Sequence, residues 1–246
     1  AHKARILCLD FKKDGSTLAS GDDRGQVLMH AVEKAAKYPR LKHEGDVLCL
    51  SFAPDASYLA SGESLFGKGV LTIRRPRNTD VDGTMSEFVV DKSFTCEGKI
   101  LCLSSSHPMG ELIAIGGPKC GVCVRNVEDG NIRLLEHESA TGKDGVNSVA
   151  FSRDASRIAC GVGCSIVVRS IKTGDIITML RHDESTNGIF SLDFSPCGTM
   201  LASGDDNCCE TIRKFSSPTV SATFHHPKKC QSPAFSPVIS AHFARS

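Results

Sequence analysis

Apolar and polar residues alternate along the chain in runs of about six, the period of a strand with one buried face. Ile6 to Phe11, Val47 to Phe52, Val146 to Phe151 and Ile189 to Phe194 all end in Phe; Ile100 to Ser105 is a weaker copy, and Cys230 to Phe235 is the last. A second pattern follows each of the first five. Leu18-Ala19-Ser20-Gly21 returns as Leu59 to Gly62, Ile113 to Gly116, Ile158 to Gly161 and Leu201 to Gly204, with final glycines 41, 54, 45 and 43 residues apart. Turn formers lie between the two patterns: Asp14-Gly15, Pro54-Asp55, Asp154 and Pro196-Cys197-Gly198. They allow a tight reversal. Third strands are β-branched, as in Ile166-Val167-Val168 and Val122-Cys123-Val124. Helical periodicity is weak, with Glu33 to Lys37 the only candidate.

Short strands recurring at this period predict an all-β propeller of four-stranded blades. A sandwich with strands at similar spacing would not repeat one residue pattern five times. The expected units are residues 2–42, 43–95, 96–136, 137–181 and 182–225, with a partial sixth at 226–246, all in one domain. At roughly 40–45 residues per blade, 246 residues fall short of a six- or seven-bladed ring. The ring is therefore expected to be incomplete in this chain or completed by another segment, since open blade edges are avoided.

The repeats resemble those of the tryptophan–aspartate (WD) repeat family. The resemblance rests on a histidine nine positions before the strand Phe (His2, His43, His226), the strand-turn-strand with Ser-Pro or Pro-Asp, and the Ala-Ser-Gly ending. His137 and His182 hold the same slot with insertions after them, and Cys96 replaces it in the third copy. It covers essentially the whole chain and implies the fold far more than a function. In the family, a Trp joins a hydrogen-bonded cluster with the loop His, the strand Ser or Thr and a turn Asp. This chain has no Trp. The Trp slot holds Arg125 and Arg169, each five residues before a turn glycine, and strand register places His30, Arg74 and Arg213 in the same column. A guanidinium cannot fill the indole volume, though its planar fork can stack and donate. The arginines are expected to cap blade carbonyls, the alternative being an arginine-lined ligand face, and the usual cluster is expected to be disturbed.

The 12 cysteines fall in repeat slots. Cys8, Cys49 and Cys102 exchange with Ser148, Ser191 and Ser232; Cys120, Cys164 and Cys208 with Gly25 and Gly69; Cys160 with serine; and Cys230 with Ile and Val. A residue that exchanges with Ser, Gly and Ile serves as a small buried group. Free thiols, no disulfide-linked partner and a reducing intracellular compartment are expected, cytoplasmic or in an organelle. Cys120-x-x-Cys123 and the Cys160/Cys164 pair lack a second pair for zinc and a following helix for redox work.

With 29 Lys+Arg against 28 Asp+Glu, the chain has no general basic field for nucleic acid. Arg74-Arg75-Pro76-Arg77 is the main basic cluster, and 2 Tyr with no Trp leave no aromatic platform. No apolar run approaches a membrane span of about 18 residues. No nucleophile elbow, phosphate loop or His-Glu-x-x-His occurs. No catalytic, metal or cofactor residue is expected. The acidic pairs Asp22-Asp23 and Asp205-Asp206 read as turn stabilisers rather than calcium ligands.

Insertions carry the interaction reading. In a propeller, the loop after the second strand and the loop between blades open on one face. Extra residues there are Glu63 to Lys68, Glu138 to Gly145 and Asp183 to Gly188, while Pro76 to Ser86 should open on the other face. Glu63, Lys68, Glu138, Lys143, Asp144, Asp183, Glu184 and Asn187 are the candidate partner contacts. The expected function is a non-catalytic protein–protein scaffold within a complex. The alternatives are a permanent subunit of an organellar, photosynthetic or cytoskeletal assembly, and a channel-based enzyme or small-molecule binder. The last would need converging acids or histidines, whereas the inner-strand column is Cys and Ser with Asp10 and Asp193.

Overall fold

The computed structural model describes residues 2–32, 40–77, 87–119, 121–135, 145–182, 186, 188–215 and 220–225. These form twenty strands in five four-stranded antiparallel sheets, each ordered as in the chain. Blade 1 holds β1 (Ile6–Phe11), β2 (Thr17–Asp22), β3 (Gln26–Ala31) and the two-residue β4 (Leu41–Lys42). Blade 2 holds β5 (Asp46–Phe52), β6 (Leu59–Leu65), β7 (Lys68–Pro76) and β8 (Phe88–Glu97). Blade 3 holds β9 (Cys102–Ser105), β10 (Leu112–Gly117), β11 (Gly121–Asn126) and β12 (Ile132–Leu135). Blade 4 runs β13 (Val146–Phe151), β14 (Arg157–Val162), β15 (Ser165–Ser170) and β16 (Ile176–Arg181). Blade 5 runs β17 (Ile189–Phe194), β18 (Met200–Asp205), β19 (Cys209–Lys214) and β20 (Val220–His225). The helix candidate Glu33 to Lys37, most of Pro76 to Ser86 and the sixth-repeat residues 226–246 lie outside the described residues.

Inner strands β1, β5, β9, β13 and β17 pack one on the next, so the blades follow a propeller path. The core lies between blades and obeys one rule. The strand-end Phe and the apolar residue two before it, such as Leu50 and Phe52, lie against the preceding blade, where Ala19, Val27, Met29 and Leu41 meet them. Val149 and Phe151 meet Ala114, Val122, Val124 and Leu135 in the same way. Leu192 and Phe194 meet Ala159, Ile166, Val168 and Leu180. Such repeated burial of aliphatic and aromatic surface is the main stabilising term.

The repeated Gly has a packing reason. A Cβ at Gly62 would lie 2.5 Å from Cys49 Sγ and 2.8 Å from Ile100 Cγ2, and one at Gly116 would lie 2.5 Å from Val146 Cγ1. The second strand of blades 1 to 4 thus presses against the first apolar residue of the next inner strand. Only a residue without a side chain allows that approach.

Candidate functional site

Loops between blades and hairpin turns after each second strand meet on one face: His43 N donates to Gly25 O at 2.7 Å, and His182 N to Cys164 O at 2.9 Å. Side-chain networks fasten this face. In blade 1, His2 Nδ1 contacts Asp22 Oδ2 at 2.7 Å and Nε2 contacts Ser20 Oγ at 2.7 Å. Asp22 Oδ1 accepts from Arg24 N and Gln26 N at 3.0 and 2.9 Å, closing the next turn. Blade 5 repeats the arrangement. His182 meets Asp205 Oδ2 at 2.9 Å, Ser203 Oγ at 2.7 Å and Thr211 Oγ1 at 3.1 Å, while Asp205 Oδ1 takes the amides of Asn207 and Cys209. The acids after the second strand are therefore turn stabilisers, as their position predicted.

Blade 2 is the variant that brings an arginine into the network. Arg74 Nη1 lies 2.7 Å from His43 Nε2 and 3.3 Å from Ser61 Oγ, and Nη2 donates to Lys42 O at 3.0 Å. A guanidinium has only donors, so Nε2 accepts and the ring proton sits on Nδ1, aimed at Glu63 Oε2 at 3.3 Å. Burial, helped by the Arg74 charge, lowers the His43 pKa to about 3. Burial also lowers that of His182, against the pull of Asp205. Both rings are neutral structural groups at neutral pH.

The arginine column keeps its predicted register, with Leu59 opposite Arg74, Ile113 opposite Arg125, Ile158 opposite Arg169 and Leu201 opposite Arg213. Its side chains adopt two arrangements. Arg74 and Arg213 reach the carbonyl just before the loop histidine, Lys42 O and Arg181 O. Arg125 and Arg169 instead donate to Gly130 O and Gly174 O, both at 2.9 Å. The blade interior explains the split. Blades 2 and 5 carry Ser61 and Thr72, or Ser203 and Thr211, where blades 3 and 4 carry Ile115 and Cys123, or Cys160 and Val167. Without strand hydroxyls beside it, the fork is satisfied at the turn. Arg125 also stacks over the Phe94 ring at 4.1 Å, a cation–π contact. Capping of blade carbonyls is thus what the arginines do. The expected disturbance of the His–Ser–acid cluster is confined to the interior of blades 3 and 4; blades 1, 2 and 5 keep it.

A family model described as "WD domain, G-beta repeat" matches residues 1–29, 38–65 and 174–210. Together with the five four-stranded blades, these three matches support one reading of the architecture. The chain is a WD-repeat propeller. No curated protein shows significant similarity to it. WD-repeat propellers commonly mediate protein–protein interaction and are generally non-catalytic.

The WD-repeat fold places the candidate contact residues unevenly. Glu63 is not displayed on a loop. It lies inside β6, 6 % exposed, facing His43 and accepting from Gly45 N at 3.2 Å. The stretch from Glu63 to Lys68 extends the β6–β7 hairpin, in which Leu65 pairs with Lys68 around the two-residue turn Phe66-Gly67. Lys68 is exposed there. Gly69, which shares a repeat slot with Gly25, is consequently within β7. Glu138, Lys143, Asp144, Asp183, Glu184 and Asn187 lie outside the described residues, as do His137 and His226. Sequence reasoning missed Phe66. It is 98 % exposed with φ +47°, a left-handed value unusual for a bulky residue. The Phe-Gly pair at the hairpin tip was its only signal.

Other candidate chemistry is absorbed by the fold. Of the basic cluster, Arg74 is buried, and Arg75 pairs with Asp91 at 2.9 Å and Glu128 at 2.5 Å. A cavity of about 450 Å³ at the opposite mouth of the channel includes Asp10, Asp193, Lys13 and His107 in its wall. Asp10 Oδ2 accepts from Phe52 N at 2.6 Å, joining blade 1 to blade 2. Among the described residues, no three His, Cys, Asp or Glu side chains are grouped to hold a metal. No helix among the described residues is long and apolar enough to cross a membrane.

Proposed function

We propose that this WD-repeat propeller is a protein-interaction scaffold within a multiprotein complex. It binds through the face where inter-blade loops and second-strand turns meet. The observation that carries this reading is the β6–β7 hairpin. It extends Phe66 into solvent beside the exposed Lys68, on a face fastened by the His2, His43 and His182 networks. An aromatic side chain held out on a rigid support is a low-entropy anchor for a partner's pocket. The strained φ of Phe66 is consistent with a conformation kept for binding. The free thiols among the described residues support function in a reducing compartment.

Affinity purification of the wild type and of a Phe66→Ser, Lys68→Glu variant, read by mass spectrometry, tests the reading. Proteins recovered at fixed stoichiometry with the wild type should be lost from the variant while its melting temperature holds. Equal recovery by both would overturn it.

A further inference from the structure

Basic side chains from three blades meet at the channel mouth opposite Phe66. Lys13, in the β1–β2 turn, and His107, in the β9–β10 turn, stand in the wall of the cavity of about 450 Å³. That volume falls in the ligand-sized range of about 300–1,000 Å³. Arg153, in the β13–β14 turn, acts on the same spot: burial, then the charge of Lys13, then that of Arg153 lower the His107 pKa, so its ring is neutral near neutral pH. The acids of the neighbouring turns are committed elsewhere. Asp14 pairs with Lys12 at 2.9 Å and takes Ser16 N, and Asp154 takes Ser152 Oγ and both Ser156 N and Oγ. Among the described residues, neither Lys13 nor Arg153 pairs with a carboxylate.

Two carboxylates lie in the same wall, on strands rather than turns: Asp10 of β1 and Asp193 of β17. Asp10 Oδ2 accepts from Phe52 N at 2.6 Å, and burial raises its pKa to about 6. The cavity is thus polarised, with bases at the rim and acceptors within. A ligand that fits this order has negative charge at one end and uncharged donors at the other. We propose that the cavity binds a phosphate ester of a sugar or polyol, its phosphate held by Lys13, His107 and Arg153 and its hydroxyls directed to Asp10 and Asp193. Donors approaching from three blades suit the three oxygens and nearly doubled charge of a phosphate. Hydrogen bonds between a cation and an oxyanion are the strong ones. Ionised carboxylates only accept, so the inner wall selects hydroxyl groups and rejects a second anionic group. The site is independent of the Phe66 face and of the scaffold reading.

Isothermal titration calorimetry on the full chain tests the proposal with glucose-6-phosphate, inositol phosphate, inorganic phosphate and glucose. One of the two esters should bind saturably and more tightly than inorganic phosphate, and glucose should give no measurable heat. Lys13→Glu with Arg153→Glu removes two charge-assisted contacts and should weaken ester binding about a hundredfold. Both side chains are exposed, so the melting temperature should hold. Sedimentation with phosphatidylcholine vesicles containing phosphatidylinositol phosphates separates the sources of the ester. Pelleting with those vesicles that the double variant loses, without binding of the soluble esters, upholds the site and assigns its ligand to a lipid headgroup. Binding of neither form, equal affinity for inorganic phosphate and the esters, or unchanged affinity in the double variant would overturn the proposal.

Discussion

Glu63→Ala separates a structural acid from a partner contact. The carboxylate faces His43 Nδ1 at 3.3 Å and takes Gly45 N at 3.2 Å, and the side chains of His43 and Glu63 are 1 and 8 % exposed. Truncation leaves a ring N–H and a backbone N–H without an acceptor where water has little access. Each such loss costs about 1–3 kcal/mol. The nearby Arg74 cation also loses its negative neighbour, and breaking a buried pair costs about 3–5 kcal/mol. These terms overlap, so about 3 kcal/mol in all is expected. For a chain of this size, about 2–4 °C is lost per kcal/mol, giving a fall of about 6–12 °C in Tm. Glu63→Gln keeps an acceptor and should lose about half as much. Lys68→Ala, at the exposed end of the same hairpin, should stay within about 0.5 kcal/mol. Differential scanning calorimetry on the three variants reads the order. If Glu63→Ala melts within about 1 °C of the wild type but loses its partner, the buried assignment is wrong and Glu63 is a surface contact.

Three further outcomes follow from the same structure. The His43 pKa falls from 6.5 to about 3 on folding, and that of His182 also falls. The unfolded chain therefore takes up protons that the folded chain refuses as pH drops below 6.5, and stability falls on acidification. Each histidine contributes at most about 1.4 kcal/mol per pH unit, and denaturant midpoints that stay level between about pH 7 and pH 5 would contradict this. Gly62→Ala forces a methyl group against Cys49 Sγ and Ile100 Cγ2, so it should cost about 1–3 kcal/mol; an unchanged midpoint would refute the close-approach argument. Burial raises the thiol of Cys49 well above its ordinary value and that of Cys160 to about 12, while hydrogen bonds from Ser195 and Thr199 lower exposed Cys197 to about 7. Iodoacetamide near neutral pH should modify Cys197 well before either buried thiol, and equal labelling in native protein would count against the packing.

What the chain determines locally is the repeat: two-residue alternation, a turn, and a small-residue second strand, five times over. That was enough to predict a propeller of four-stranded blades and the register of the arginine column. Each depends on residues close in sequence or on register, which a repeating period carries directly. What each slot does depended on contacts with residues of other strands and turns. Glu63 belongs to a loop by counting and to the core by geometry, because it holds the slot of Asp22 and Asp205 at the end of the second strand, where a carboxylate meets the loop histidine. The arginines read alike in sequence yet divide into two arrangements, because their partners are hydroxyls and a histidine on other strands, present in some blades and replaced in others. Phe11 matches Phe52 in the repeat and differs from it about ninefold in exposure, 56 against 6 %. Burial belongs to the neighbour that covers a side chain, and only the tertiary structure says which neighbour that is.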